Sequence, residues 1–127
     1  MGRGMSTSGV RRETSAPTEA QEQAAVVEFC DWAGIPVFHI PNGGYRHKHT
    51  AYQMKRQGVK AGVPDLFVPV ASDGYHGLFV EMKRAKGGTV SADQEKWLCL
   101  LRDNGYAAEV CHGADDAIGA IRAYLGR

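Results

Sequence analysis

Asp73-Gly74 interrupts two apolar runs, Leu66-Phe67-Val68-Pro69-Val70 and Leu78-Phe79-Val80, and Asp-Gly is a strong signal for a tight hairpin turn. A hairpin pivoting on Asp73 constrains the rest of the chain. Asp65 stands eight residues before the pivot and Glu81 eight after it, so the two fall directly opposite across the ladder. Opposed residues have Cβ atoms about 4.5–5.5 Å apart. Side chains alternate along a strand, so Glu81 and Lys83 share one face and Met82 points to the other. Two carboxylates at that separation repel each other unless a cation lies between them. Oxygen donors suit a hard ion such as Mg2+ or Mn2+. Lys83 adds an ammonium one pleat away. Carboxylates, a hard ion and an ammonium together make a site for phosphoryl chemistry.

Around this hairpin the pattern is that of a single domain preceded by an arm. Residues 1–17 are rich in Gly, Ser, Thr and Arg with few apolar positions, which predicts a flexible N-terminal arm, and residues 18–127 hold the domain. Thr18 is a candidate N-cap, with Ala25, Val26, Phe29, Trp32 and Ala33 at helical spacing and Gly34 as the stop. Ile35–Ile40 reads as a short strand and Pro41-Asn42-Gly43-Gly44 as a turn. A short helix is expected over Thr50–Gln57, and hairpin strands over Leu66–Val70 and Leu78–Lys83. A loop follows at Lys86–Thr89. Ser91 then opens a helix with Trp97, Leu98, Leu100 and Leu101 as its apolar face. Tyr106–Cys111 reads as a strand and Asp115–Leu125 as a closing helix. The order α-β-(α)-β-β-α-β-α predicts an α/β fold, a mixed central sheet flanked by helices.

The net charge of +1 says little as a total, but its distribution is informative. Arg46, Lys48, Lys55, Arg56 and Lys60 lie in one acid-free window, while residues 18–127 as a whole carry more acid than base. Such a window either meets a phosphate backbone or forms a solvated face. The three cysteines, Cys30, Cys99 and Cys111, are odd in number and widely spaced, which predicts reduced thiols packed as small hydrophobes in a cytoplasmic protein. His47-x-His49 has no cysteine pair to complete a zinc site. No run is long and apolar enough to span a membrane, and no secretory signal is expected.

Pro64-Asp65 and Glu81-x-Lys83 in this element order resemble the PD-(D/E)xK nuclease superfamily, with its αβββαβ core. The Asn42-Gly43 turn, Gly62-Val63-Pro64-Asp65-Leu66, Glu81-Met82-Lys83 and Ser91-x-x-Gln94 resemble, more narrowly, the VRR-NUC (virus-type replication-repair nuclease) family. The resemblance spans roughly Glu19 to Leu125. It implies a metal-dependent endonuclease acting on DNA phosphodiester bonds, with Mg2+ or Mn2+ as cofactor and products bearing 5′-phosphate and 3′-hydroxyl ends. Stand-alone members, mostly of phage or bacterial origin, resemble small dimeric resolvases. A homodimer acting on branched DNA such as a Holliday junction is thus implied.

On the matching positions, Asp65, Glu81 and the backbone carbonyl of Met82 would be metal ligands, and Lys83 would orient the attacking water and steady charge on the phosphate. A first-helix acid completes the set. Glu22 is preferred and Glu19, one turn earlier, competes. Gln94 would look into the site, although Ser91-x-x-Gln94 also satisfies a capping box by itself. The contrasting expectation is a non-catalytic DNA-binding module on the same fold. Buried carboxylates facing phosphate speak against it, because a pure binder gains nothing from them.

Overall fold

The computed structural model describes residues 15–41 and 48–127. Most of the expected arm, the Asn42-Gly43 turn, Arg46 and His47 lie outside the described residues, as do the side chains of Lys48 and His49. The elements are α1 (Glu19–Ala33), β1 (Phe38–His39), α2 (Lys48–Arg56), β2 (Leu66–Val68), β3 (Leu78–Lys83), α3 (Ala92–Asp103), β4 (Ala107–His112) and α4 (Ala114–Leu125). The four strands form one mixed sheet in the order β1-β2-β3-β4, antiparallel up to β3 and parallel between β3 and β4. This is the α/β architecture the pattern predicts, with α1, β1, β2, β3, α3 and β4 as the αβββαβ core.

The hairpin register is the expected one. Leu66 pairs with Val80, Phe67 with Phe79 and Val68 with Leu78, all symmetric about Asp73. The turn itself closes half a residue off that axis, because Ser72 and Tyr75 exchange backbone hydrogen bonds around Asp73 (φ 52°) and Gly74 (φ 85°). Positive φ at both central residues is the geometry an Asp-Gly hairpin provides. The extra residue falls on the β2 side, at Pro69-Val70-Ala71. Pro69 has no N–H to give to the ladder, so β2 ends at Val68 and not at Val70 as expected. The same chemistry shortens the predicted Ile35–Ile40 strand to Phe38–His39. Pro36 cannot donate, and the Ile35 amide is taken by the Cys30 carbonyl at the end of α1.

One sheet face carries Leu66, Val68, Leu78, Val80, Met82 and Cys111 against Val26 and Cys30 of α1 and Ala117 and Ile121 of α4. The other carries Phe38, Phe67 and Phe79 in a row of ring contacts, then Glu81 and Lys83, with α3 packed on β4. Two large residues expected in the core lie outside, as does Ala25. Trp32 is 84% exposed and Leu100 is 45% exposed. Each stands two positions beyond a buried residue, Cys30 and Leu98, and two positions turn a helix by roughly 200°, to its far side. Cys30 and Cys111 are buried as expected, and burial pushes the Cys111 thiol up to about 12, but Cys99 is exposed. Among the described residues, no helix is long and apolar enough to cross a membrane.

Candidate active site

Asp65 lies one residue before β2, where the backbone ladder has ended, and its carboxylate continues that ladder. Asp65 Oδ2 accepts the Met82 amide at 2.8 Å. A strand residue presents its N–H and C=O to the same neighbour, so the Met82 carbonyl lies on this edge as well. The Lys83 carbonyl faces the opposite neighbour, where it accepts the Gly113 amide at 2.9 Å. Asp65 is held from the β1 side too. Its carbonyl accepts the Ile40 amide at 2.7 Å and lies 2.9 Å from His39 Nδ1, which in turn lies 3.0 Å from the Gln23 side-chain amide.

Glu81 and Lys83 are 2% and 8% exposed, far below what solvated strand charges show. Gln94 joins them. It donates from Nε2 to Glu81 Oε2 at 2.9 Å and accepts from Lys83 Nζ at 2.8 Å, while Lys83 Nζ stands 3.6 Å from Glu81 Oε2. Gln94 also completes the capping box of α3, accepting from the Ser91 amide at 3.0 Å as its own amide donates to Ser91 Oγ at 3.1 Å. The cap and the contact with the acidic pair are thus made by one side chain at once. Gly62 fixes how near α3 comes to β2. Its φ is +91°, and a Cβ there would lie 2.6 Å from the Asp93 carbonyl carbon, so the loop before Asp65 rests on the first turn of α3.

The electrostatics are those of two acids crowded out of water. Burial first, and then the charge of Asp65, push the Glu81 carboxyl up to about 8; burial likewise raises Asp65 above the ordinary carboxylate range. With both ionised, Glu81 Oε1 is buried without a hydrogen-bond partner. A buried orphan oxygen costs about 1–3 kcal/mol. A hard cation would satisfy it, and two carboxylates with a backbone carbonyl are a donor set that such an ion accepts, its remaining positions taken by water or phosphate. Among the described residues, no group of three or more His, Cys, Asp and Glu side chains is arranged to hold a metal ion by itself.

The two first-helix acids are placed differently from each other. Glu22 Oε1 accepts the Ala114 amide at 3.1 Å, so Glu22 caps the N-terminus of α4. The helix-one acid whose charge reaches Glu81 is Glu19. Through these bonds the N-termini of α1, α3 and α4 converge on the end of the sheet where β3 and β4 finish, each with two acids in its first turn that complement its dipole. Of the basic window, Lys55, Arg56 and Lys60 are exposed, and the Arg56 guanidinium lies 5.9 Å from the Tyr52 ring centre. Arg46 and the Lys48 side chain lie outside the described residues. His39 and Gln23 were not singled out by sequence pattern. Only the pairing of His39 with Leu66 reveals that His39 lies beside Asp65.

A family model described as the VRR-NUC domain matches residues 18–115. Among solved structures, one described as a VRR-NUC domain protein superposes with a TM-score of 0.72 at 30% sequence identity, over 87% of this chain and 89% of that one. No curated protein matches this chain.

Proposed function

The chain belongs to the VRR-NUC domain family, and on that premise we propose that it is a metal-dependent endonuclease hydrolysing DNA phosphodiester bonds, with branched DNA such as a Holliday junction as substrate. The observation that carries this reading is the half-buried Asp65 beside the buried Glu81, with Glu81 Oε1 unsatisfied and the Lys83 ammonium 3.6 Å from Glu81 Oε2. Asp65, Glu81 and the Met82 carbonyl would hold Mg2+ or Mn2+. Bound there, the ion would offset charge on the phosphate oxygens and acidify water. Lys83 presents its ammonium to the phosphate as negative charge grows, and Gln94 keeps that ammonium from collapsing fully onto Glu81. Lys55, Arg56 and Lys60, with Arg46 and Lys48, grip the flanking backbone. Two symmetric nicks in a junction need two such sites, which a homodimer supplies.

The test is cleavage of a four-way junction, a flap and a plain duplex in Mg2+ and in Mn2+ by the wild-type chain and by Lys83→Ala. The variant should keep its fold and lose roughly 10²–10³-fold in rate, as when one charge-stabilising group is removed from such a site. Near-normal cleavage by Lys83→Ala would remove Lys83 from the mechanism. Binding by the wild-type chain without cleavage in either metal would leave a DNA-binding module in place of a nuclease.

A further inference from the structure

We propose that the loop between β3 and α3 is a second phosphate grip, in which Arg84 and Lys86 hold the DNA backbone next to the bond being cut. The inference rests on the nuclease reading for its substrate and on a separate set of observations for its location. From Met82 to Ala92 the chain carries Lys83, Arg84 and Lys86 and no acid. Arg84 and Lys86 are exposed, and among the described residues neither forms an ion pair. Solvated protein faces ordinarily intersperse both signs. Two exposed cations without an ion pair, following directly on the buried Lys83, are not of that kind.

The loop is also held in place. Gly87 and Gly88 take φ of +80° and +77°, which turns the chain back onto Lys83. A Cβ at Gly88 would lie 3.5 Å from Lys83 Cδ and 3.6 Å from Lys83 Cβ, so the loop rests on the aliphatic stem of that lysine. At its start, the Arg84 carbonyl lies 3.2 Å from His112 Nδ1 on the neighbouring strand. Cations on a loop anchored at both points need little ordering to meet a ligand, and less entropy is lost when they do. The loop leaves β3 at the end of the sheet where Lys83 and Glu81 lie, so its cations stand beside the candidate site. A phosphodiester seated at Lys83 continues as a chain of phosphates, and the next cations along the protein are Arg84 and Lys86.

The measurement is a salt titration of duplex and junction binding by the full chain in Ca2+, where binding proceeds with little cleavage. It is paired with steady-state cleavage in Mg2+. Arg84→Ala/Lys86→Ala should lower the slope of log K against log salt by about 1.8, since each phosphate contact contributes about 0.9. Its KM should rise roughly tenfold while kcat falls far less. Arg84→Lys/Lys86→Arg should retain the slope, because the charges remain. Arg122→Gln, on the helix layer of the opposite face, should also retain it. An unchanged slope in a folded double-alanine variant, with the wild-type chain cleaving normally, overturns the loop grip and leaves the nuclease reading intact. A reduced slope in a chain that binds but never cleaves supports the grip and removes the nuclease reading. A wild-type chain that does not bind DNA at all overturns both.

Discussion

Asp65 supplies from its side chain the acceptor that a strand partner would give Met82: Oδ2 takes the Met82 amide at 2.8 Å, one residue before β2 begins. The carboxylate therefore has a structural duty apart from any metal. Asn at this position retains an oxygen that can accept, whereas Ala does not. Asp65→Asn and Asp65→Ala should both abolish metal-dependent cleavage, since each removes a ligand charge. Both also relieve repulsion with Glu81, so their comparison isolates the hydrogen bond. Asp65→Ala should be less stable than Asp65→Asn by about 1–3 kcal/mol in urea denaturation, the cost of an unpaired buried amide. Equal stability of the two variants would show that the Met82 amide finds another acceptor.

The Glu81 carboxyl carries a pH prediction. Its ordinary value of 4.5 rises to about 8 in the folded chain, by burial first and by Asp65 second. Between those values the folded state holds more protons than the unfolded state, so stability falls as pH rises through the window. The slope approaches about 1.4 kcal/mol per pH unit while one extra proton is held. The metal-free protein should thus melt at a lower temperature at pH 8 than at pH 5.5, and Glu81→Gln should flatten that difference. Mg2+ or Mn2+ should restore stability chiefly at the upper end, where the proton no longer competes. A metal-free melting temperature that climbs between pH 5.5 and pH 8 contradicts the raised carboxyl.

Gly62 sets the distance between the Asp65 loop and α3. A Cβ there meets the Asp93 backbone at 2.6 Å, and the φ of +91° is costly for any side chain. Gly62→Ala should destabilise the fold by at least about 1 kcal/mol. It should also slow cleavage beyond what partial unfolding explains, because α3 carries Gln94 away from Lys83 and Glu81. Rates measured well below the melting temperature, with the folded fraction fixed by circular dichroism, separate the two effects. A rate that merely tracks the folded fraction would show that α3 tolerates the displacement.

The hairpin was legible because its information is local. Asp73-Gly74 fixes the pivot, and strand alternation then places Glu81 and Lys83 on one face. The caps at Thr18 and Ser91 were legible for the same reason, since each is satisfied within three residues. Contacts that join distant elements were not. The partner of Glu22 is Ala114, 92 positions away, and nothing in helical spacing points to it. His39 meets Asp65 only through the β1–β2 register, which Pro36 and Pro69 reduce to two residue pairs. Trp32 and Leu100 are apolar but stand off the buried stripes of their helices, so apolar character alone misplaces them. The shared role of Gln94 is legible in part. Ser91-x-x-Gln94 announces the cap, but its contacts with Glu81 and Lys83 need the βα packing that Gly62 permits.

The two acids of α1 should separate by what each one touches. Glu22 accepts the Ala114 amide at 3.1 Å, and a Cβ at Gly113 would stand 3.1 Å from its other oxygen, so the carboxylate is wedged into the start of α4. Glu22→Ala removes a charge-assisted cap and should cost about 1–2 kcal/mol in chemical denaturation. Glu22→Gln keeps an acceptor and should cost less. Cleavage by Glu22→Gln, measured where the protein is fully folded, should stay near the wild-type rate. Glu19 is exposed and adds negative charge that raises the Glu81 carboxyl. Glu19→Gln should leave stability nearly unchanged and alter the metal concentration needed for half-maximal cleavage, because one negative charge facing the ion is lost. The opposite pattern, with metal dependence unchanged in Glu19→Gln and rate lost in folded Glu22→Gln, would return the catalytic role to Glu22 and make its bond to Ala114 a means of aiming it.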